Sequence, residues 1–369
     1  MLIRNLYLAG FKNIETAALA FSPKVNCFLG DNGMGKSNLL DALYFLSFAK
    51  SFTGAQDAML VRRGEPFASL RGEYFRRGLD EEITAALRPG ARKVFRRGGK
   101  PYQKLAEHIG AFPLVLLSPA DIFIVTGDGA DRRRFIDQII CQSDSRYFDS
   151  LLRYQSVLEQ RNRLLKDENG DDSLFDVLEF QLEAAGNYIS RCRAEAISRL
   201  GEIFAPYYKA IAGNDEAARM QYLHTDYPEG LAAHLAATRQ RDRLLKHTSA
   251  GPHRDDIDFT VDGMSLRRTA SQGQTKTFTT ALRFAQYELL RNALNLRPLL
   301  LLDDIFDKLD AGRVSRIMNI VGSSDSFGQI FITDTNRKHL DEIVADIPGG
   351  HENYRLWMVE SGVFNPVEP

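Results

Sequence analysis

Gly30-Asp31-Asn32-Gly33-Met34-Gly35-Lys36-Ser37 fits the pattern G-x-x-x-x-G-K-[ST]. The physics asks for that spacing. Glycines let successive backbone N–H groups turn inward around phosphate oxygens. Lys36 is placed to reach the β- and γ-phosphates of a nucleoside triphosphate, and the Ser37 hydroxyl to coordinate Mg²⁺. A helix starting here adds the positive end of its dipole. The surroundings agree. Residues 24–29 form a short, mainly apolar run, and Leu39, Leu40, Leu43 and Leu46 follow at helical spacing. The expectation is strand, loop and helix, with every residue from Gly30 to Ser37 lining a site for ATP and Mg²⁺.

A second half of the site stands far downstream. Leu299-Leu-Leu-Leu-Asp303-Asp304 is an apolar run ending in two acids. Four successive leucines fit a strand covered on both faces. Two carboxylates side by side at its end are costly unless something offsets their charge, and a metal ion does so. Asp303 is expected to hold the Mg²⁺ shell with Ser37, and Asp304 to sit near the attacking water. Lys36, Asp303 and Asp304 then form the catalytic set. Two solvated acids are the plain alternative, made weaker by the phosphate loop upstream. Thr269-Ala-Ser271-Gln272-Gly273-Gln274 comes directly before a predicted helix. Ser271 can cap that helix, and Gly273 lets backbone amides face an anion. Alone, the stretch is more commonly a plain cap; its place ahead of the acidic strand gives it further meaning.

Outside these motifs, strand and helix patterns alternate. Residues 2–8 are apolar at every second position, and Gly10 breaks the run before Phe11 and Ile14. Residues 67–95 look antiparallel: Leu70 and Tyr74 share one face, Ile83, Ala85 and Leu87 the next, and Gly98-Gly99 is a turn. Beyond Pro119 the character changes. Phe148, Leu151, Leu152, Leu158 and Leu165 keep helical spacing, and so do Ile189, Ala196, Leu200, Ile203, Phe204 and Tyr207. Between them, the polar residues 167–172, with Ser173 as a cap, predict two long helices folded back as a hairpin. Ile257, Phe259 and Val261, the Asp262-Gly263 turn, then Met264 and Leu266 predict a β-hairpin. Phe278, Leu282, Ala285 and Leu289 share a helix face, and residues 330–332 make another apolar strand. The expected fold class is α/β. Residues 1–118 and 248–369 together would form a mixed-sheet core with an antiparallel β subdomain, and residues 119–247 an inserted α-helical lobe with the helix hairpin.

Composition narrows the class. A chain of 369 residues, 44% hydrophobic and 26% charged, can bury a sizeable core. No apolar run is long enough to span a bilayer, and the first residues lack the pattern of a secretory leader. Cys27, Cys141 and Cys192 are odd in number and far apart, which fits neither a disulfide framework nor a zinc site. The expectation is a cytoplasmic protein. A net charge of −1 hides local imbalance. Arg88, Arg92, Lys93, Arg96, Arg97, Lys100 and Lys104 come without an intervening acid, Arg132–Arg134 form a second cluster, and Arg239, Arg241, Arg243 and Lys246 a third. Each is a solvated face or part of a basic surface.

The set of motifs resembles the ATP-binding-cassette ATPase heads of the SMC-like group, and most closely the RecF family of bacterial recombination-repair proteins. The phosphate loop, Ser271-Gln-Gly-Gln274 as signature motif, Asp303-Asp304, and Lys308-Leu309-Asp310 as D-loop stand in the family's order. Three further stretches are similar to ones that separate this family from transporter ATPases. They are Pro119-Ala-Asp-Ile-Phe-Ile-Val-Thr-Gly127 running to Arg132-Arg-Arg-Phe-Ile-Asp137, Thr248-Ser-Ala-Gly-Pro-His-Arg-Asp-Asp256, and Leu8-Ala-Gly-Phe-Lys-Asn-Ile14. The resemblance covers essentially the whole chain. It departs in places. Ala270 stands where a leucine usually precedes the signature serine, and Ala120 and Gly129 replace an acid and a proline. Asp304 stands where transporter relatives have the longer Glu, which implies slow hydrolysis, and Thr333 where they carry a switch His. No Q-loop glutamine is located.

What the resemblance implies is an ATP-switched homodimer, a weak Mg²⁺-dependent ATPase in which two heads sandwich two nucleotides. Ser271, Gly273 and Gln274 would act in trans on the other subunit's nucleotide, and Asp310 would couple the two sites. Lys12 and Asn13 would touch the nucleotide from the N-terminal loop, although a strand-end turn explains them equally well. The implied partners are DNA, gapped or at single- to double-strand junctions, the mediator proteins RecR and RecO, and RecA, which it would help to load, with no membrane. Residues 88–104 and Arg132–Arg134 are candidates for phosphate contacts on that DNA. For the three arginines, pairing with acidic strand ends has equal weight. The alternative function is the ATPase subunit of a membrane transporter, which the long insertion, the absent switch His and the family-like stretches oppose. A small-molecule kinase has no use for a signature motif, and a DNA scaffold that merely retains ATP would tolerate Lys36→Ala.

Overall fold

The computed structural model describes residues 1–167, 172–306, 309–322, 326–339 and 353–367. Strands β1 (Leu2–Phe11), β2 (Ile14–Ala20) and β3 (Val25–Leu29) lead into helix α1 (Lys36–Phe48). Next come β4 (Ala68–Arg76), β5 (Leu79–Leu87), β6 (Val94–Arg97), β7 (Lys100–Pro101) and β8 (Leu114–Leu117). Helices α2 (Ile122–Thr126), α3 (Gly129–Ser143), α4 (Ser145–Leu164) and α5 (Asp172–Ala212) follow. Then come β9 (Ala218–Leu223), α6 (Leu231–Leu245), β10 (Asp256–Val261), β11 (Met264–Ser265) and α7 (Leu266–Thr269). The chain closes with α8 (Gln272–Leu294), β12 (Leu299–Asp303), α9 (Ala311–Gly322), β13 (Ile330–Asp334), β14 (Tyr354–Glu360) and β15 (Val363–Val367).

These elements gather into two units. The first comprises Met1–Asp121, Tyr207–Asn214 and Lys276–Pro369. It contains a six-stranded sheet in the order β15-β14-β3-β13-β12-β8, parallel except at the β15 edge, and an antiparallel sheet in the order β2-β1-β4-β5-β6-β7. Helix α1 touches β4 and β5 of one sheet and β8, β12 and β13 of the other. Nearly every residue of α1 is buried, as expected of a helix apolar on all sides. Strands β3, β12 and β13 are buried along their whole length, which is why they are mainly apolar on both faces. Their registers pair Leu29 with Asp334 and Asp303 with Thr333. The loop after β3 and the acids ending β12 therefore meet at one edge, the carboxyl end of a parallel sheet, where such folds place their ligands.

Two details of β1 differ from the alternating pattern. The strand runs on through Gly10 to Phe11. A bulge between Ile3 and Asn5 also shifts its phase, so Ile3 rather than Leu2 faces the core with Leu6 and Leu8.

The second unit comprises Ile122–Pro206 and Asp215–Thr275. Helices α4 and α5 form the expected hairpin, with Tyr188 on α5 bonded to Asp144 before α4 and Arg161 on α4 bonded to Glu179 on α5. Residues 168–171 of the predicted turn lie outside the described residues. Helix α5 includes Asp172, so Ser173 sits within it rather than capping it. The buried stripe of α4 is Tyr147, Tyr154, Val157 and Arg161, continued by Leu165 just past its end; of the residues that hydropathy selects here, Leu165 alone is buried. The lobe also carries a three-stranded sheet, β11-β10-β9. Its β9–β10 pairing draws residues as far as Thr275 into this unit, whereas the last turns of α5 belong to the first, where Arg316 bonds to Ile211 O. Those pairings move the boundaries from the 119–247 division read from hydropathy. The β10–β11 turn has positive φ at Asp262 and Gly263, as a two-residue hairpin requires.

Candidate functional site

Residues 30–35 make the turn between β3 and α1. Gly33 and Gly35 have φ of 81° and 111°, where a side chain is strained. A Cβ on Gly35 would also lie 2.8 Å from the Asn13 amide, and one on Gly30 would overlap the Val359 carbonyl. Lys36 is buried, and its Nζ donates to Gly30 O at 2.5 Å and Asp31 O at 2.9 Å. Burial draws its pKa down, while the carboxylates of Asp304, Asp303, Asp334 and Asp31 act the other way.

Ser37 Oγ donates to Asp303 Oδ1 at 2.8 Å, and Thr333 Oγ donates to the same oxygen at 2.7 Å. The Asp303 carboxyl is pushed above its ordinary range, first by burial and also by Asp304; Thr333, Ser37 and Lys36 oppose that shift. Asp304 holds a left-handed φ of 47°, an uncommon state for a non-glycine residue and a frequent one at functional sites. Its N–H donates to Thr333 Oγ at 3.1 Å. Thr333 thus ties both acids together. Sequence reasoning saw it only as a replaced switch residue. Beside it, His339 Nδ1 lies 2.8 Å from Asp334 Oδ2, and its ring meets Phe306 edge-on.

A Ser37 hydroxyl and one buried carboxylate make a sparse ligand set. Among the described residues no group of three or more His, Cys, Asp or Glu side chains could hold a metal. Such a set suits Mg²⁺, which keeps several waters and takes phosphate oxygens, and does not suit an all-protein cage.

The N-terminal loop closes on the same place. Lys12, at φ 50°, sits 2.5 Å from Asp41 Oδ2, a carboxylate with no exposure. Asp41 also accepts from Ser51 Oγ and Phe52 N. Asn13 Nδ2 donates to Met34 O at 3.3 Å, and Asn13 Oδ1 accepts from Asn38 at 2.8 Å. Asp41 was not picked from the sequence; an acid amid the leucines of α1 was the available signal.

Ser271, Gly273 and Gln274 belong to the second unit. Ser271 Oγ accepts from Gln274 N, and Gln274 Oε1 accepts from Ser271 N, both at 3.1 Å. That reciprocal pair is a capping box at the start of α8, and it leaves Ser271 exposed. Lys308 of the D-loop lies outside the described residues. Asp310 accepts from Arg313 N at the start of α9.

The basic stretches divide. Lys93 pairs with Asp57 and Arg97 with Glu81, while Arg88, Arg92, Arg96, Lys100 and Lys104 are exposed. Arg132 grips Asp256 through two bonds of 2.6 and 2.9 Å, and Arg133 donates to Asp255 O. For Arg132, pairing with the Asp256 carboxylate at a strand end accounts for the charge, whereas the acceptor of Arg133 is a neutral main-chain oxygen. Asp121 holds Arg283 and the Ser118 amide. Among the described residues no helix is long and apolar enough to cross a membrane.

A family model of AAA ATPase domains matches residues 1–85. The chain is 45% identical to the DNA replication and repair protein RecF of Parabacteroides distasonis, over 100% of both chains. A solved structure of the recombination mediator protein RecF–ATP of the RecFOR pathway superposes with a TM-score of 0.87 at 27% identity, covering 99% of each chain. An Smc head domain from Pyrococcus furiosus is similar in fold, with a TM-score of 0.59 at 18% identity, covering 99% of this chain and 95% of that one.

Proposed function

Because the chain belongs to the RecF family of DNA replication and repair proteins, we propose that it is an ATP-switched dimer that holds gapped or junction DNA. The observation that carries this reading is the meeting of Ser37 and Asp303, 266 positions apart in sequence and 2.8 Å apart in space, beside the buried Lys36. Lys36 and the loop amides hold the phosphates of ATP. Ser37 and Asp303 are the residues that would hold Mg²⁺, and the ion, when bound, would supply neutralising charge for those phosphates. Asp304 orients the attacking water. Its short side chain, kept in a left-handed backbone by Thr333, makes hydrolysis slow, as fits a switch. Ser271, Gly273 and Gln274 act in trans: the exposed capping box offers a hydroxyl and a helix N-terminus to the partner subunit's phosphate. RecR and RecO as mediator partners, and help in loading RecA, come to this chain from its family. The RecF relatives leave the transporter reading without support.

The test is molar mass in solution with and without ATP–Mg²⁺, repeated with a gapped duplex. The wild-type protein is expected to pass from monomer to dimer only with ATP and then to hold the DNA. Lys36→Ala is expected to lose ATP binding and dimerisation, and Ser271→Arg to bind ATP and stay monomeric. Dimers of both variants with ATP would sink the sandwich.

A further inference from the structure

We propose that Asn13 and Gly362 are positioning residues of the nucleotide site, clamping the Met34 carbonyl so that the phosphate loop is set before anything binds. This deepens the nucleotide reading above and rests on it. Met34 stands between Gly33 and Gly35, both at positive φ, where the backbone has much freedom to lose. Its carbonyl accepts from Gly362 N at 2.7 Å and from Asn13 Nδ2 at 3.3 Å. Its Sδ lies 3.4 Å from Ser361 N. The other end of the Asn13 amide is held by Asn38, in the first turn of α1. In this proposal Asn13 acts through the loop.

Gly362 comes from the turn joining β14 to β15, and β14 runs parallel beside β3 with Met358 opposite Leu29. That register delivers the turn to the loop. A side chain has no room there. Gly362 has φ 82°, and a Cβ on it would stand 2.5 Å from Asn13 O. Gly362, Asn13 and Met34 thus meet at one point, contributed by three parts of the chain. A loop held this way loses less freedom on binding phosphate, so the clamp contributes to affinity by preorganisation.

The experiment compares Gly362→Ala, Asn13→Ala and Gly78→Ala in the full-length protein. Gly78 has φ 81° in the β4–β5 turn with nothing within 4 Å of its would-be Cβ, so it carries similar backbone strain with no contact to the loop. The readouts are ATP–Mg²⁺ affinity, the split between KM and kcat, thermal melting, and hydrogen exchange over residues 30–37 without nucleotide. Gly362→Ala and Asn13→Ala are expected to weaken ATP binding about tenfold, the scale of one lost held hydrogen bond. They should raise KM with kcat little changed and speed exchange in the loop. Gly78→Ala is expected to lower the melting point while leaving affinity and loop exchange as in wild type. Should Gly362→Ala fail to fold, Asn13→Ala carries the test. Affinity and loop exchange unchanged in the clamp variants, or changed equally in Gly78→Ala, would overturn the clamp alone. A wild-type protein that binds no ATP would overturn the nucleotide reading and the clamp with it.

Discussion

Asp303 shows the cost of burying one acid beside another. Its carboxylate is buried beside Asp304, and both effects favour the protonated form. An acid whose folded pKa is raised destabilises the fold at pH above that value, because the buried form must then carry charge. Asp303→Asn is therefore expected to raise the melting temperature of the Mg²⁺-free protein by a few degrees at neutral pH, with Ser37 and Thr333 still donating to the remaining oxygen. The same variant should lose Mg²⁺-dependent ATP binding. A melting point that falls would show that the charge of Asp303 is stabilised in place. His108 works in the opposite direction. It is fully buried between Leu46 O and the Tyr102 hydroxyl, and burial pushes its pKa to about 4, from 6.5. A histidine with a depressed folded pKa gives stability that is present above 6.5 and lost as pH falls toward 4, on the order of a few kcal/mol. Melting followed between pH 7 and 4 should fall less steeply for His108→Gln than for wild type.

Helix α4 shows why a hydrophobic pattern mistakes which face is inward. Its buried stripe carries two tyrosines and an arginine beside Val157, and each of those three finds its partner outside α4. Tyr147 donates to Asp137 at 2.5 Å, Tyr154 meets His253 at 2.7 Å, and Arg161 lies between Glu179 and Asp242. Arg161 joins α4, α5 and α6 with no exposure of its side chain. Removing one partner from such a group strands buried charge. Arg161→Met should cost about 3 kcal/mol in denaturant unfolding. Arg163→Ala, which loses only an exposed 3.9 Å pair with Glu159, should have no measurable effect. Equal costs would mean that the buried cluster carries no special weight.

At the scale of the molecule, charge matters only where it is not already paired. Of the basic stretches, residues 88–104 keep the most exposed cations, whereas Arg132 is buried against the Asp256 carboxylate and Arg133 is half-buried on the Asp255 main-chain carbonyl. If the exposed ones meet DNA phosphates, Arg92→Ala with Arg96→Ala should weaken binding across sequences and reduce the salt slope by about two. Lys93→Ala and Arg97→Ala, which break pairs with Asp57 and Glu81, should alter stability more than the slope. An unchanged slope in the Arg92/Arg96 variant would remove this stretch from the DNA surface.

Local chemistry was enough for much of this. The phosphate loop, its flanking strand and helix, the acidic strand end, the helix hairpin and the Asp262-Gly263 turn were legible because each is set by backbone sterics or by short-range apolar periodicity. Those act over a few residues and leave their mark in order along the chain. Thr333 beneath both acids, Asp41 beneath Lys12, and Gly362 against Asn13 and Met34 were not legible. Each depends on strand order and register, which set side by side residues far apart in sequence. Where the boundary between the two units runs was hidden for the same reason: β9 pairs with β10 across α6, and no local window contains both. Sequence alone determined that a glycine-rich turn carrying Lys36 and Ser37, and an apolar strand ending in two acids, exist. Only the parallel sheet, with its strands ending at one edge, decided that Ser37 and Asp303 share a hydrogen bond.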